Sequence, residues 1–159
     1  MDVYLHEKAC VGIWFSPHGG CEQQIVDQIR KARKEIRVAT FQLSRGRIAD
    51  ELVVACKRGV TVAVVVDKQL PAARYSPCDM LYHAGCKVYV DRGHLIMHHK
   101  YIVLDKSVVI TGSHNFTKNS ENSNAENLIV LRNDAIANQF LENWSSLTIG
   151  AEEFRPTLW

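Results

Sequence analysis

The side chains best equipped for chemistry crowd between His94 and Glu126. Within that span the chain reads His98-His99-Lys100, then Asp105, then Gly112-Ser113-His114-Asn115, and finally Glu126 inside Asn124-Ala125-Glu126-Asn127. In extended chain, residues two apart project to the same side. His98 therefore shares a face with Lys100, and Ser113 with Asn115. Where these two segments lie side by side, an imidazole, an ammonium, a hydroxyl and an amide converge. That set suits a phosphodiester. Lys100, Ser113 and Asn115 donate to non-bridging oxygens while His98 faces phosphorus. A carboxylate behind the imidazole would fix its tautomer and stabilise the imidazolium. Glu126 and Asp105 are the two candidates.

The neighbouring residues carry blander expectations. His99 falls on the opposite face of the strand from His98 and reads as structural. His94 and His98 have a zinc-like spacing, but no paired cysteines or carboxylate cluster accompany them, so no metal site is expected. Arg74, Arg92 and Lys118 are candidates for lining a groove along a nucleic-acid backbone.

Positioning such a cluster requires a sheet. Residues 11–15 read as a strand closed by Ser16-Pro17-His18-Gly19-Gly20. From Glu22 the spacing of Ile25, Ile29 and Ala32 is helical, and Lys31, Arg33 and Lys34 suit a helix C-terminus. Residues 36–41 read as a strand, Ile48, Leu52, Val53 and Cys56 as one face of a helix, and residues 60–66 as a strand covered on both faces. This alternation favours a parallel sheet with right-handed crossovers. Residues 69–76 follow as loop, 79–84 as a short helix, 87–90 as a strand, and 101–104 with 108–111 as a hairpin. Residues 119–124 read as polar loop, 127–131 as a strand, and 135–147 as a helix with Ile136, Phe140 and Trp144 on its core face. The fold class expected is α/β, a mixed and largely parallel sheet flanked by helices. All of it falls in one domain over residues 1–159.

Composition bounds the reading further. Hydrophobic residues make up 47% and charged residues 23%, which excludes a disordered or collagen-like chain. The net charge of +2 is too small to attract a polyanion by bulk field, so any nucleic-acid face must be local. Five cysteines cannot close into a complete disulfide framework, and reduced, partly buried thiols are expected. No apolar run reaches the ~18 residues of a membrane span, and residues 1–8 lack a signal-peptide profile. A soluble chain without stable membrane insertion is expected.

The composite His98-x-Lys100-x4-Asp105-x6-Gly112-Ser113-x-Asn115 resembles the HKD signature of the phospholipase D superfamily. From about Val11 to Leu147 the chain is similar to the short, single-motif Nuc-type endonucleases of that superfamily. Its Met97-His98-His99-Lys100 wording resembles the Zucchini (mitochondrial phospholipase D) branch, which processes RNA. The resemblance implies an α/β sandwich and a homodimer, in which His98 pairs with the same residue of a second copy. It also implies covalent catalysis through a phosphohistidine. Lys100 and Asn115 would bind phosphate, Glu126 would hold the histidine, Asp105 would more often be a structural partner, and no metal or cofactor would be needed. His114 stands where the family commonly has an apolar residue, and is a candidate for touching substrate.

Three functions follow as expectations. The first is a metal-independent endonuclease on nucleic acid, DNA favoured, with little sequence preference because no base-reading motif is present. RNA processing is its close alternative. The second is a lipid phosphodiesterase, and the third a silent nucleic-acid-binding dimer.

Overall fold

The computed structural model describes residues 9–156. The reading made for residues 1–8 lies outside the described residues. The elements alternate through the first two thirds of the chain. They are β1 (Cys10–Ser16), α1 (Cys21–Lys31), β2 (Glu35–Thr40), α2 (Arg47–Lys57), β3 (Thr61–Asp67), α3 (Cys78–His83) and β4 (Lys87–Asp91). Then come β5 (Lys100–Leu104), β6 (Val108–Gly112), α4 (Lys118–Asn122), β7 (Glu126–Arg132), α5 (Asp134–Ile149) and the two-residue β8 (Glu152–Glu153).

The helices form for the reasons the spacing predicts. α1 buries Ile25, Val26 and Ile29 and carries Glu22 in its first turn and Arg30 and Lys31 in its last, which complements the helix dipole. α2 buries Ile48, Leu52 and Ala55. In β3 every residue from Val62 to Asp67 is buried, as befits a strand with parallel neighbours on both sides.

The eight strands make one mixed sheet in the order β1-β7-β6-β5-β2-β3-β4-β8. The expected mixed α/β architecture is present, but its parallel part is confined to the β2–β3 and β3–β4 ladders. β1 runs in the same direction as β2 without lying beside it. It crosses to the far edge and pairs antiparallel with β7. The antiparallel β5, β6 and β7 fill the gap. Residues 118–122, read as loop, form the helical turn α4, begun when the Thr117 hydroxyl accepts from the Ser120 amide at 3.2 Å.

Strand alternation divides the core in two. Ile36, Val38, Val62, Val64, Ile102 and Ile110 face α1, α2 and α3. Ala39, Ala63, Val65, Tyr101 and Val103 face α5, where Ala137, Trp144 and Leu147 cover them. α5 spans the sheet from β6 to β4. It leaves the outward residues of edge strand β1, Val11, Ile13 and Phe15, exposed. The described cysteines Cys21, Cys56, Cys78 and Cys86 are free thiols, as composition suggests.

Candidate active site

The carboxyl ends of β1, β2 and β6 meet the amino ends of β5 and β7 along one edge of the sheet, where Thr40 pairs with Lys100, Tyr101 with Thr111 and Ser16 with Glu126. His98, Lys100, Ser113 and Glu126 fall there. Lys100 opens β5, and its Nζ lies 3.1 Å from His98 Nδ1 while donating to the His98 carbonyl at 2.8 Å. Phe41, just past β2, closes the back of the pair. Its ring is centred 4.7 Å from the His98 ring and 5.3 Å from Lys100 Nζ. Burial pulls the Lys100 ammonium below its ordinary value, and the charge of Glu126 opposes that shift. With Lys100 protonated, Nδ1 of His98 can only accept. The ring proton then sits on Nε2.

Across the site, Ser113 donates to Glu126 Oε2, and Asn124 Nδ2 donates to Glu126 Oε1 at 3.0 Å. The expected hold of Glu126 on His98 is therefore not made within the chain. Lys100 occupies Nδ1, and Glu126 is engaged by Ser113 and Asn124. The glycine of the motif has a steric reason. Gly112 has φ +152°, and a Cβ there would stand 2.2 Å from the Asn127 carbonyl oxygen. Without a side chain, β6 can end close against β7, and the amides of Ser113 and His114 close onto that same oxygen at 3.1 and 3.4 Å. Asn115 follows with its side-chain oxygen buried and without a hydrogen-bond partner among the described residues.

Two buried aspartates that the sequence reading missed hold the approach to His98. Asp67 and Asp91 end β3 and β4 in register. Asp67 accepts from the Met97 amide at 2.8 Å and from the Gln69 amide at 2.9 Å. Asp91 meets His94 Nδ1 at 3.0 Å. The segment preceding the histidine is thus pinned at two points. A charged residue ending an otherwise apolar strand was the available signal, since ligand sites of open α/β sheets gather beyond the carboxyl ends of their strands.

Other expected residues divide. His99 turns away from the site towards Tyr101, as strand alternation predicts. Asp105 lies at the far end of β5 from Lys100, outside the site. It accepts from the amides of Arg33, Lys34 and Glu35 at 2.8–3.0 Å, which fastens the start of β2. Burial raises the Asp105 carboxyl, but those three backbone bonds outweigh it and hold the group below its ordinary value. His114, the candidate substrate contact, is 1% exposed and points inward, with Nε2 3.4 Å from Glu121 on α4. Arg92 is ion-paired with Glu152 at the β4–β8 edge, away from the cluster. Arg74 and Lys118 are exposed and line a cavity beside the site.

An imidazole and an ammonium, brought together with a hydroxyl and a carboxylate at one sheet edge, define an enzyme of the phosphodiesterase class. Comparison with known proteins agrees. Residues 25–148 match the family model described as "Cardiolipin synthase, PLD-like domain". A phospholipase D of Rickettsia bellii is 38% identical over 139 residues, 87% of this chain and 69% of that protein. The human mitochondrial cardiolipin hydrolase is 32% identical over 142 residues, 89% of this chain and 55% of that protein. Among solved structures, the phospholipase D family member Nuc from Salmonella typhimurium superposes with a TM-score of 0.86 at 33% identity, covering 91% of this chain and 97% of Nuc. The chain belongs to the phospholipase D superfamily.

Proposed function

We propose that this phosphodiesterase is a metal-independent endonuclease that cleaves nucleic acid, DNA in preference, through a phosphohistidine formed where two copies meet. The observation that carries the reading is the His98–Lys100 pair, 3.1 Å apart and open to solvent on a sheet edge. In the first step Nε2 of His98 attacks phosphorus, and the P–O bond to the leaving strand breaks. The departing oxygen takes a proton from the same histidine of the second copy. Water then attacks phosphorus as that second histidine removes its proton, and the P–N bond breaks. Lys100, Ser113 and Asn115 stabilise the charge on the non-bridging oxygens, the task a divalent cation performs in metal-dependent nucleases.

The nucleophile needs Nε2 free and its proton on Nδ1, whereas the proton donor is an imidazolium with both nitrogens protonated. Lys100 on Nδ1 presents neither form, and both become available when Lys100 turns to the substrate phosphate. The nucleophilic form requires an acceptor at Nδ1, and Glu126 is the carboxylate at hand once Ser113 or Asn124 yields it. One neutral and one protonated histidine are what two-step transfer demands, and this supports the homodimer. So do Leu95 and Ile96, 85% and 48% exposed immediately before the catalytic segment, which a second copy would cover. The short Nuc-type pattern supports DNA over RNA.

The same exposed pair carries the second reading, a lipid phosphodiesterase whose rim touches a membrane. Among the described residues no helix is long and apolar enough to cross one. Cleavage of single- and double-stranded DNA, RNA and cardiolipin vesicles in excess EDTA, with His98→Ala alongside, separates these readings. DNA cleavage that survives EDTA and vanishes in the variant is expected. Turnover of vesicles alone would overturn the nuclease reading.

A further inference from the structure

A cavity of about 680 Å³ opens beside the active site, formed by the loops that follow β2, β3 and β6. Its size falls in the range of small-molecule sites. It is continuous with the catalytic cluster on two walls. Gln42, on one wall, follows the Phe41 that backs His98 and Lys100. Asn124, on the other, is the residue that donates to Glu126.

The lining is chemically one-sided. Arg45, Arg74 and Lys118 contribute three cations, and no carboxylate lines the cavity. Among the described residues the ion pairs of the protein engage other arginines (Arg30, Arg37, Arg47, Arg58 and Arg92) and leave these three without an acidic partner. Arg45 is held in place by its Nε, which donates to the Ser76 carbonyl at 3.1 Å, and by its backbone N–H, which donates to the Tyr75 carbonyl at 2.9 Å. Tyr75 is 62% exposed, and the Arg74 guanidinium sits 5.3 Å from its ring centre. Leu43 and Leu70 give the cavity an apolar floor.

Uncompensated cations beside an exposed aromatic ring, at the side of a phosphodiester site, fit one kind of ligand. We propose that this cavity is a nucleotide subsite for single-stranded nucleic acid. Arg45, Arg74 and Lys118 take the phosphate next to the scissile one, and the unstacked base between them lies against Tyr75. The inference rests on the nuclease reading and names its strandedness. In a duplex each base is already stacked on both faces and reaches a protein ring only by flipping out. A single strand offers its bases freely, and aromatic stacking is how such strands are gripped without regard to sequence.

The test uses the full chain, with binding of a fluorescent single-stranded oligonucleotide and of its duplex measured by anisotropy in the His98→Ala background. Cleavage is measured with His98 intact. Tyr75→Ala is expected to weaken single-strand binding about tenfold, with Tyr75→Phe near the parent and duplex binding little changed. Replacing Arg74 and Lys118 by alanine should make binding less salt-dependent, by about one unit of slope for each phosphate the protein no longer neutralises. Turnover of bis(p-nitrophenyl) phosphate, which has no neighbouring phosphate, should stay within about twofold in Tyr75→Ala, showing that the fold and catalytic cluster survive. If single strands are cleaved but Tyr75→Ala binds and cuts them like the parent, or loses duplex equally, the subsite is overturned and the nuclease reading stands. If the small diester and cardiolipin vesicles are turned over but no nucleic acid is, both fall, and the cavity would serve the second phosphate of a lipid.

Discussion

The two ends of β5 carry residues of one sequence motif and do opposite work. At the Lys100 end, polar groups are left open. The ammonium and imidazole face solvent. At the Asp105 end, the carboxylate is saturated by three backbone amides. The His98–Lys100 pair stands where a substrate can reach it, and the Asp105 carboxylate is spent on the backbone of β2. Spacing in sequence does not separate the two. What each polar atom already touches does.

The contrast can be broken most sharply at its catalytic end. His98→Ala should lower phosphodiester turnover by at least about 10³-fold, and Lys100→Ala by about 10²–10³-fold, with unfolding midpoints unchanged. Kinetics and denaturant melts on the same samples would check this. Asp105→Ala should do the reverse. It should lose about 1–3 kcal/mol of stability by denaturant unfolding while turnover per folded molecule stays near the parent's. Because the Asp105 carboxyl lies below its ordinary value of 3.8 in the folded chain, its contribution is full above that value and disappears as pH falls through the folded one. The parent's advantage over the variant should therefore shrink in acid.

Dimer dependence gives a smaller but diagnostic effect. When His98→Ala subunits are exchanged with the parent one to one, a site needing both histidines should show about a quarter of the activity of the same total amount of parent, and independent sites about half. His114 carries the smallest effect. Burial holds its ring below the ordinary 6.5, with Glu121 opposing. Below about pH 6.5 the unfolded chain gains a proton that the folded chain does not, so folded stability falls from there downward. His114→Leu should flatten that slope between about pH 7.5 and 5.5 in urea melts and leave turnover at neutral pH intact. A turnover defect there would return His114 to the substrate side of the contrast.

Much of this was legible in the sequence for a definite reason. The periodicities of α1, α2, β3 and α5 report burial, and burial is local in sequence once a helix or strand exists. Sheet order is different. Nothing in residues 11–15 says that β1 should leave β2 for β7, because strand partners are chosen by the whole chain's return path. α4 was hidden because Asn, Ser and Asn favour loops unless a cap such as Thr117 tips the balance. β8, two residues long, has no period to read.

The site shows the same division. His98, Lys100, Ser113 and Glu126 lie on adjoining strand ends, so fixed spacing reveals them. Phe41, Arg45 and Tyr75 arrive from loops after β2 and β3, and Asp67 and Asp91 from the ends of β3 and β4, so they are gathered only by the fold. His114 and Arg92 misled because their side chains are polar and exposure is invisible in sequence. One is buried against Glu121, and the other is neutralised by Glu152.

The central claim is that His98 becomes covalently bonded to phosphorus. The most direct measurement is mass spectrometry of the enzyme, quenched in denaturant during turnover of a single-stranded oligonucleotide in excess EDTA. The account predicts a substrate fragment joined to His98 through an acid-labile, base-stable P–N bond, absent from His98→Ala. Turnover that proceeds without any adduct, and only when a divalent metal is supplied, would contradict it.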